Sequence, residues 1–76
     1  MPTAFVLINA EAGSEIEILE ALRKMENVRW AHGVYGVYDI IAQVEAESPD
    51  QLKEIVTWKI RRLDKVRSTL TMLVYL

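Results

Sequence analysis

VRWAHGVYGVYDIIAQVE, residues 28–45, is the stretch that decides the fold. Residues 28–35 alternate as a strand, with Val28, Trp30, His32 and Val34 on one face and Arg29, Ala31, Gly33 and Tyr35 on the other. A tight connection follows around Tyr35–Tyr38. Asp39 then opens a second strand in which Ile40, Ala42 and Val44 oppose Ile41, Gln43 and Glu45. Two alternating runs joined by a glycine-bearing turn form a β-hairpin.

Outward from the hairpin, each side meets a helix. On the N-terminal side Ser14-Glu15-Ile16-Glu17 is a Ser-x-x-Glu capping box. The helix it starts buries Ile18, Leu19, Leu22 and Met25, with Ala21 at the margin and Ile16 off the stripe, and Asn27 ends it. On the C-terminal side Ser48-Pro49-Asp50-Gln51 places Ser at the N-cap, Pro at the first helical position and Gln two positions later. Its stripe is Leu52, Val56, Ile60 and Leu63, flanked by Ile55. Trp58 falls on the far side, either partly exposed or covered by a neighbouring molecule.

Beyond the helices lie TAFVLINA, residues 3–10, and VRSTLTMLVYL, residues 66–76. Both are β-rich and apolar on both parities, so both of their faces are covered. The order β-α-β-β-α-β, with right-handed crossovers, specifies an α+β ferredoxin-like sandwich: a four-stranded antiparallel sheet with two helices on one face. The other face carries Phe5, Leu7, Trp30, His32, Leu73 and Tyr75. It is too apolar to stay wet and is predicted to bury against a second copy, sheet to sheet.

Composition points the same way. A 76-residue chain is one domain, near the size at which a single core supplies only about 3–5 kcal/mol. Cysteine is absent, which excludes disulfides, thiolate metal sites and a Cys nucleophile, and His32 is the only histidine. Association is the remaining source of stability. Half of the residues (51%) are apolar, but no run approaches the ~20 needed to cross a bilayer. The N-terminus MPTAFVLINAEAGSE lacks a secretory-signal pattern, and a cytoplasmic location is expected. A net charge of −2 argues against direct nucleic-acid binding. Glu11, Glu15, Glu17 and Glu20 fall early, whereas Lys59, Arg61, Arg62, Lys65 and Arg67 cluster late. Such asymmetry suits opposite helix ends, or a contact with another subunit or an acidic partner.

Few residues offer chemistry. Gly33 and Gly36 do not form a phosphate loop, because the G-x-G-x-x-G spacing and a following helix are missing. Gly36 fits a turn needing positive φ, and Gly33 a bulge or close backbone approach. Exposed amides at such a hairpin also receive anions. Asp39, followed by two isoleucines, either caps the hairpin's own amides or faces a cationic partner such as a ligand ammonium. His32, between Trp30 and Val34, lacks the partners of a triad or metal site and reads as an interface residue. Ser68, Thr69 and Thr71 fit ordinary strand propensity. No catalytic residue, metal site or cofactor is expected.

The segments G-V-Y-D-I-I at 36–41 and V-R-S-T-L-T-M-L-V at 66–74, with a capped helix between them, resemble the effector (RAM) domain of the Lrp/AsnC transcriptional regulators over essentially the whole chain. The resemblance implies face-to-face dimers that assemble into rings of eight or ten chains. It also implies a small effector, commonly an amino acid, bound between dimers near the central hairpin. By motif position Tyr35, Gly36, Tyr38 and Asp39 would form the effector loop, with Ser68, Thr69 and Thr71 supplying hydroxyls. Tyr35 stands where the family often has Thr. Typical members carry a helix-turn-helix domain, whereas Met1 here begins at the first strand, so the resemblance is to a stand-alone RAM protein that senses a ligand or co-assembles with full-length regulators. Two other readings are a small dimeric α+β barrel enzyme, monooxygenase-like, with His32 as base or ligand, and a purely architectural partner of regulator rings.

Overall fold

The computed structural model describes all residues, Met1–Leu76. The chain forms β1 (Thr3–Ala10), α1 (Glu15–Arg23), β2 (Val28–Gly33), β3 (Ile40–Glu45), α2 (Pro49–Glu54), a π-helical continuation (Ile55–Ile60) and β4 (Val66–Leu73). The strands lie in the order β2-β3-β1-β4, and every neighbouring pair is antiparallel. This is the predicted ferredoxin-like sandwich.

Strand alternation builds the core. Ala4, Val6 and Ile8 of β1 meet Ile40, Ala42 and Val44 of β3 on the helix-covered face, and all six are fully buried. Ile18 and Leu22 of α1 and Leu52, Ile55, Val56 and Ile60 of the second helix close over them. The predicted stripes are therefore correct, with Leu19, Met25 and Leu63 packed at the edge and Ile16 exposed. α1 is shorter than predicted, ending at Arg23.

The two helix starts differ. Ser48 accepts a hydrogen bond from the Gln51 N–H at 3.1 Å, and Gln51 Oε1 accepts from the Glu47 N–H at 2.7 Å, a reciprocal cap. Ser14, by contrast, makes no side-chain cap. Its N–H instead donates to the Glu11 carbonyl at 3.0 Å, within the turn around Gly13, which fixes a backbone that does not aim the hydroxyl at the helix. The capping-box reading holds for α2 and fails for α1.

A bulge in β2 and the phase of β4 correct the predicted faces. In β2, Val28 pairs with Val44 but Trp30 with Gln43, so Arg29 and Trp30 together oppose one residue. This bulge turns Val28 to the helix side with Ala31, while Trp30 and His32 stay on the open face. The bulge is thus at Arg29, not at Gly33. β2 ends at Gly33, leaving Val34 and Tyr35 in the connection.

In β4, Leu73 pairs with Ala4 and Thr71 with Val6, which puts Leu73 on the helix side. The open-face positions are Met72, opposite Phe5, and Leu70, opposite Leu7. Leu73 therefore does not belong to the open face, and Tyr75 lies beyond the strand's end. A strand apolar on both parities does not mark its inner face, and a one-residue change of phase exchanges the two sets.

The open face consists of two cross-sheet rows: Trp30-Gln43-Phe5-Met72 and His32-Ile41-Leu7-Leu70. Phe5 and Trp30 lie 6.0 Å apart, ring centre to ring centre. No helix covers this side.

Candidate functional site: the Asp39 corner

The connection between β2 and β3 spans Val34 to Asp39, and it is closed by the Val34 N–H donating to the Asp39 carbonyl at 2.8 Å. Gly36 sits within it at φ 141°, the positive-φ position expected of this turn. Tyr35 and Val37 project into solvent, whereas Tyr38 is half-buried.

The N–H and carboxylate of Asp39 are held by β1, not by the hairpin. Its N–H donates to the Ile8 carbonyl at 3.0 Å, and its Oδ2 accepts from the Ala10 N–H at 2.9 Å. The carboxylate thus continues the β1–β3 ladder past the last backbone pair and caps a strand end rather than the hairpin's own amides. The other carboxylate oxygen, Oδ1, is free of protein partners.

Asp39 opens on a pocket of about 320 Å³ that it shares with Asn9, Ala10, Arg67 and Ser68. Asn9 Nδ2 donates to Ser68 Oγ at 3.3 Å across the β1–β4 pair. A second hollow of about 390 Å³, lined by Glu15, Gly33, Val34, Tyr35 and Asp39, lies on the hairpin side. Of the residues singled out in the sequence, the fold gathers Asp39 with Ser68 at one mouth and with Tyr35 at the other. Gly36 and Tyr38 belong to the same connection.

Thr69 and Thr71 are elsewhere. Alternation along β4 turns them to the helix side, where with Leu73 they line a groove of about 440 Å³ against Leu52, Val56 and Arg61. That groove does not contain Asp39, so one chain does not bring the hydroxyls of Thr69 and Thr71 to the hairpin. Asn9, Ala10 and Arg67 complete this pocket without being marked by the sequence. Arg67 reads there as part of the late basic cluster, and only its place opposite the Asn9–Ala10 step of β1 brings it to the Asp39 corner.

His32 stacks on Trp30 with ring centres 5.2 Å apart, and its imidazole makes no hydrogen bond. Trp58 is largely exposed (62%), with the Arg62 guanidinium 5.3 Å above its ring. Part of the charge asymmetry lies at helix ends, with Glu15 and Glu17 in the first turn of α1 and Lys59 in the last turn of the π-helical segment, and Glu17 also pairs with Lys65 at 3.5 Å.

Comparison with known proteins agrees with this architecture. The Lrp/AsnC ligand binding domain matches residues 3–75. An uncharacterized HTH-type transcriptional regulator of Pyrococcus furiosus is 36% identical over 73 residues, covering 92% of this chain and 49% of that protein. The crystal structure of a hypothetical protein from Pyrococcus horikoshii superposes with a TM-score of 0.93 at 41% identity, over 100% of this chain and 92% of that one. A more distant fold neighbour, a transcriptional regulator from Neisseria meningitidis solved as a complex with L-Met, has a TM-score of 0.86 at 17% identity, over 97% of this chain and 49% of that one.

The chain belongs to the Lrp/AsnC ligand-binding domain family. It spans about half the length of the curated relatives it matches.

Proposed function

We propose that this chain is a self-associating, non-enzymatic effector-binding unit that takes a small effector, an amino acid, beside Asp39 between dimers and modulates full-length Lrp/AsnC transcriptional regulators in the cytoplasm. The observation that carries the reading is the anchored carboxylate. Asp39 is fixed by the Ala10 N–H, keeps one oxygen free and opens on a polar pocket in a chain that matches a ligand-binding family over residues 3–75. The L-Met complex of the N. meningitidis regulator supplies an example of an amino acid bound by a protein of this fold.

In this reading Asp39 and Ser68 border the ligand, Tyr35 stands at the second mouth beside Asp39, Gly36 and Tyr38 shape the connection that carries Asp39, and Thr69 and Thr71 stand apart in the helix-side groove. The open face, with Phe5, Leu7, Trp30, His32, Leu70 and Met72, forms the sheet-to-sheet dimer, and dimers assemble into rings of eight or ten chains. His32 serves that interface rather than catalysis.

Calorimetric titration of the wild-type protein with each of the twenty standard L-amino acids, paired with sedimentation velocity, tests the proposal. Saturable binding of at least one amino acid is expected, lost in Asp39→Asn. Absence of heat and of any change in assembly for all twenty would leave the chain as an architectural partner instead.

A further inference from the structure

The Asp39 pocket holds two opposite charges that do not pair with each other. Asp39 and Arg67 both line it, yet the chain's ion pairs are Arg29–Glu45 and Lys65–Glu17. Arg67 is exposed and makes no side-chain hydrogen bond. Its position follows from the β1–β4 register, in which Ser68 opposes Asn9 and Val66 opposes Ala10, leaving Arg67 as the extra residue of a bulge. A bulged residue escapes the strict alternation of the ladder, and bulges re-aim side chains in this way.

Two unpaired opposite charges at one mouth are complementary to a zwitterion. A plain amine would satisfy Asp39 and leave the guanidinium facing a second cation, and a plain carboxylic acid would bring its charge toward Asp39. A ligand carrying both charges meets both groups. The planar guanidinium also matches a carboxylate with two parallel hydrogen bonds, which a lysine ammonium cannot do.

Resting on the proposed effector site, we infer that Arg67 is its carboxylate receptor and sets its specificity: Asp39 Oδ1 takes the ligand ammonium and Arg67 takes the α-carboxylate. The site then selects free α-amino acids over their amides, over amines and over peptides extended at the C-terminus.

The test compares wild type with Arg67→Gln and Arg67→Lys, using the twenty standard L-amino acids and the carboxamide of each one that binds. Wild type is expected to prefer the free acid over its carboxamide by about tenfold or more, the worth of one charge-assisted contact. Arg67→Gln loses that preference with an unchanged circular dichroism spectrum, and Arg67→Lys recovers part of it. A wild type that binds acid and carboxamide equally, or an Arg67→Gln variant that keeps the full preference, overturns the role of Arg67 and leaves the Asp39 site standing. A wild type that binds no amino acid overturns both.

Discussion

The carboxylate of Asp39 accepts a hydrogen bond from the backbone N–H of Ala10 at 2.9 Å, tying the entry of β3 to the exit of β1. One residue thereby joins the stability of the sheet to the geometry of the candidate site. Asp39→Ala leaves the Ala10 N–H without its partner and should cost about 1–3 kcal/mol. Asp39→Asn, whose side-chain carbonyl still accepts that bond, should stay within about 1 kcal/mol of wild type while losing the ligand. Urea denaturation of both variants, compared at equal protein concentration, checks the pair.

The two helix starts should respond differently to the same change. Ser48 caps α2 through the Gln51 N–H, so Ser48→Ala is expected to lower stability by about 1 kcal/mol. Ser14 makes no such bond, and Ser14→Ala should change stability by less than about 0.5 kcal/mol. Equal losses would show that the Ser14 hydroxyl caps α1 in solution.

Gly36 and Gly33 separate backbone need from space. Gly36 has φ 141° with nothing within 4 Å of a built Cβ, so Gly36→Ala meets no clash. It should still cost about 1–2 kcal/mol through the backbone alone. A Cβ on Gly33 would lie 3.7 Å from Leu19 Cδ1, an ordinary contact. Gly33→Ala should be neutral or stabilising by up to about 1 kcal/mol. Thermal unfolding of the two variants distinguishes these outcomes.

Leu70 and Leu73 are comparably exposed in the single chain, at 44% and 54%, but point to opposite faces of β4. If the open face is the self-association surface, Leu70→Glu should produce monomers at low micromolar concentration in analytical ultracentrifugation. Leu73→Glu should keep the wild-type sedimentation. The reverse pattern would place the interface on the face of Leu73 instead.

Those same residues explain what was legible in the sequence. The hairpin, both apolar stripes and the α2 cap could be read because each carries a polar/apolar contrast or a specific local hydrogen bond: Ile40, Ala42 and Val44 against Gln43 and Glu45, or Ser48 against Gln51. β4 offers no such contrast. Leu70 and Met72 are as apolar as Leu73, and its phase is set by pairing with β1, across the bulge at Arg67. The bulge at Arg29 is hidden for a similar reason, because Val28 suits either face. The π-helical turn, in which the Arg61 N–H reaches the Val56 carbonyl at 2.9 Å, leaves the buried set Val56 and Ile60 unchanged and so has no signature in the pattern. Asp39 stands out in the sequence, but its partner Ala10 lies 29 residues away, beyond any local pattern. Arg67 does not stand out, because a bulge rather than alternation brings it to the corner.

Whether Asp39 meets a ligand's ammonium is decided by a crystal structure of the assembled oligomer grown with whichever amino acid binds in calorimetry. That amino acid is expected in the pocket of Asn9, Asp39, Arg67 and Ser68, with its ammonium within about 3 Å of Asp39 Oδ1. A ligand seated instead in the groove of Thr69, Thr71 and Leu73, or an Asp39 corner closed by a side chain of a neighbouring copy, would contradict it.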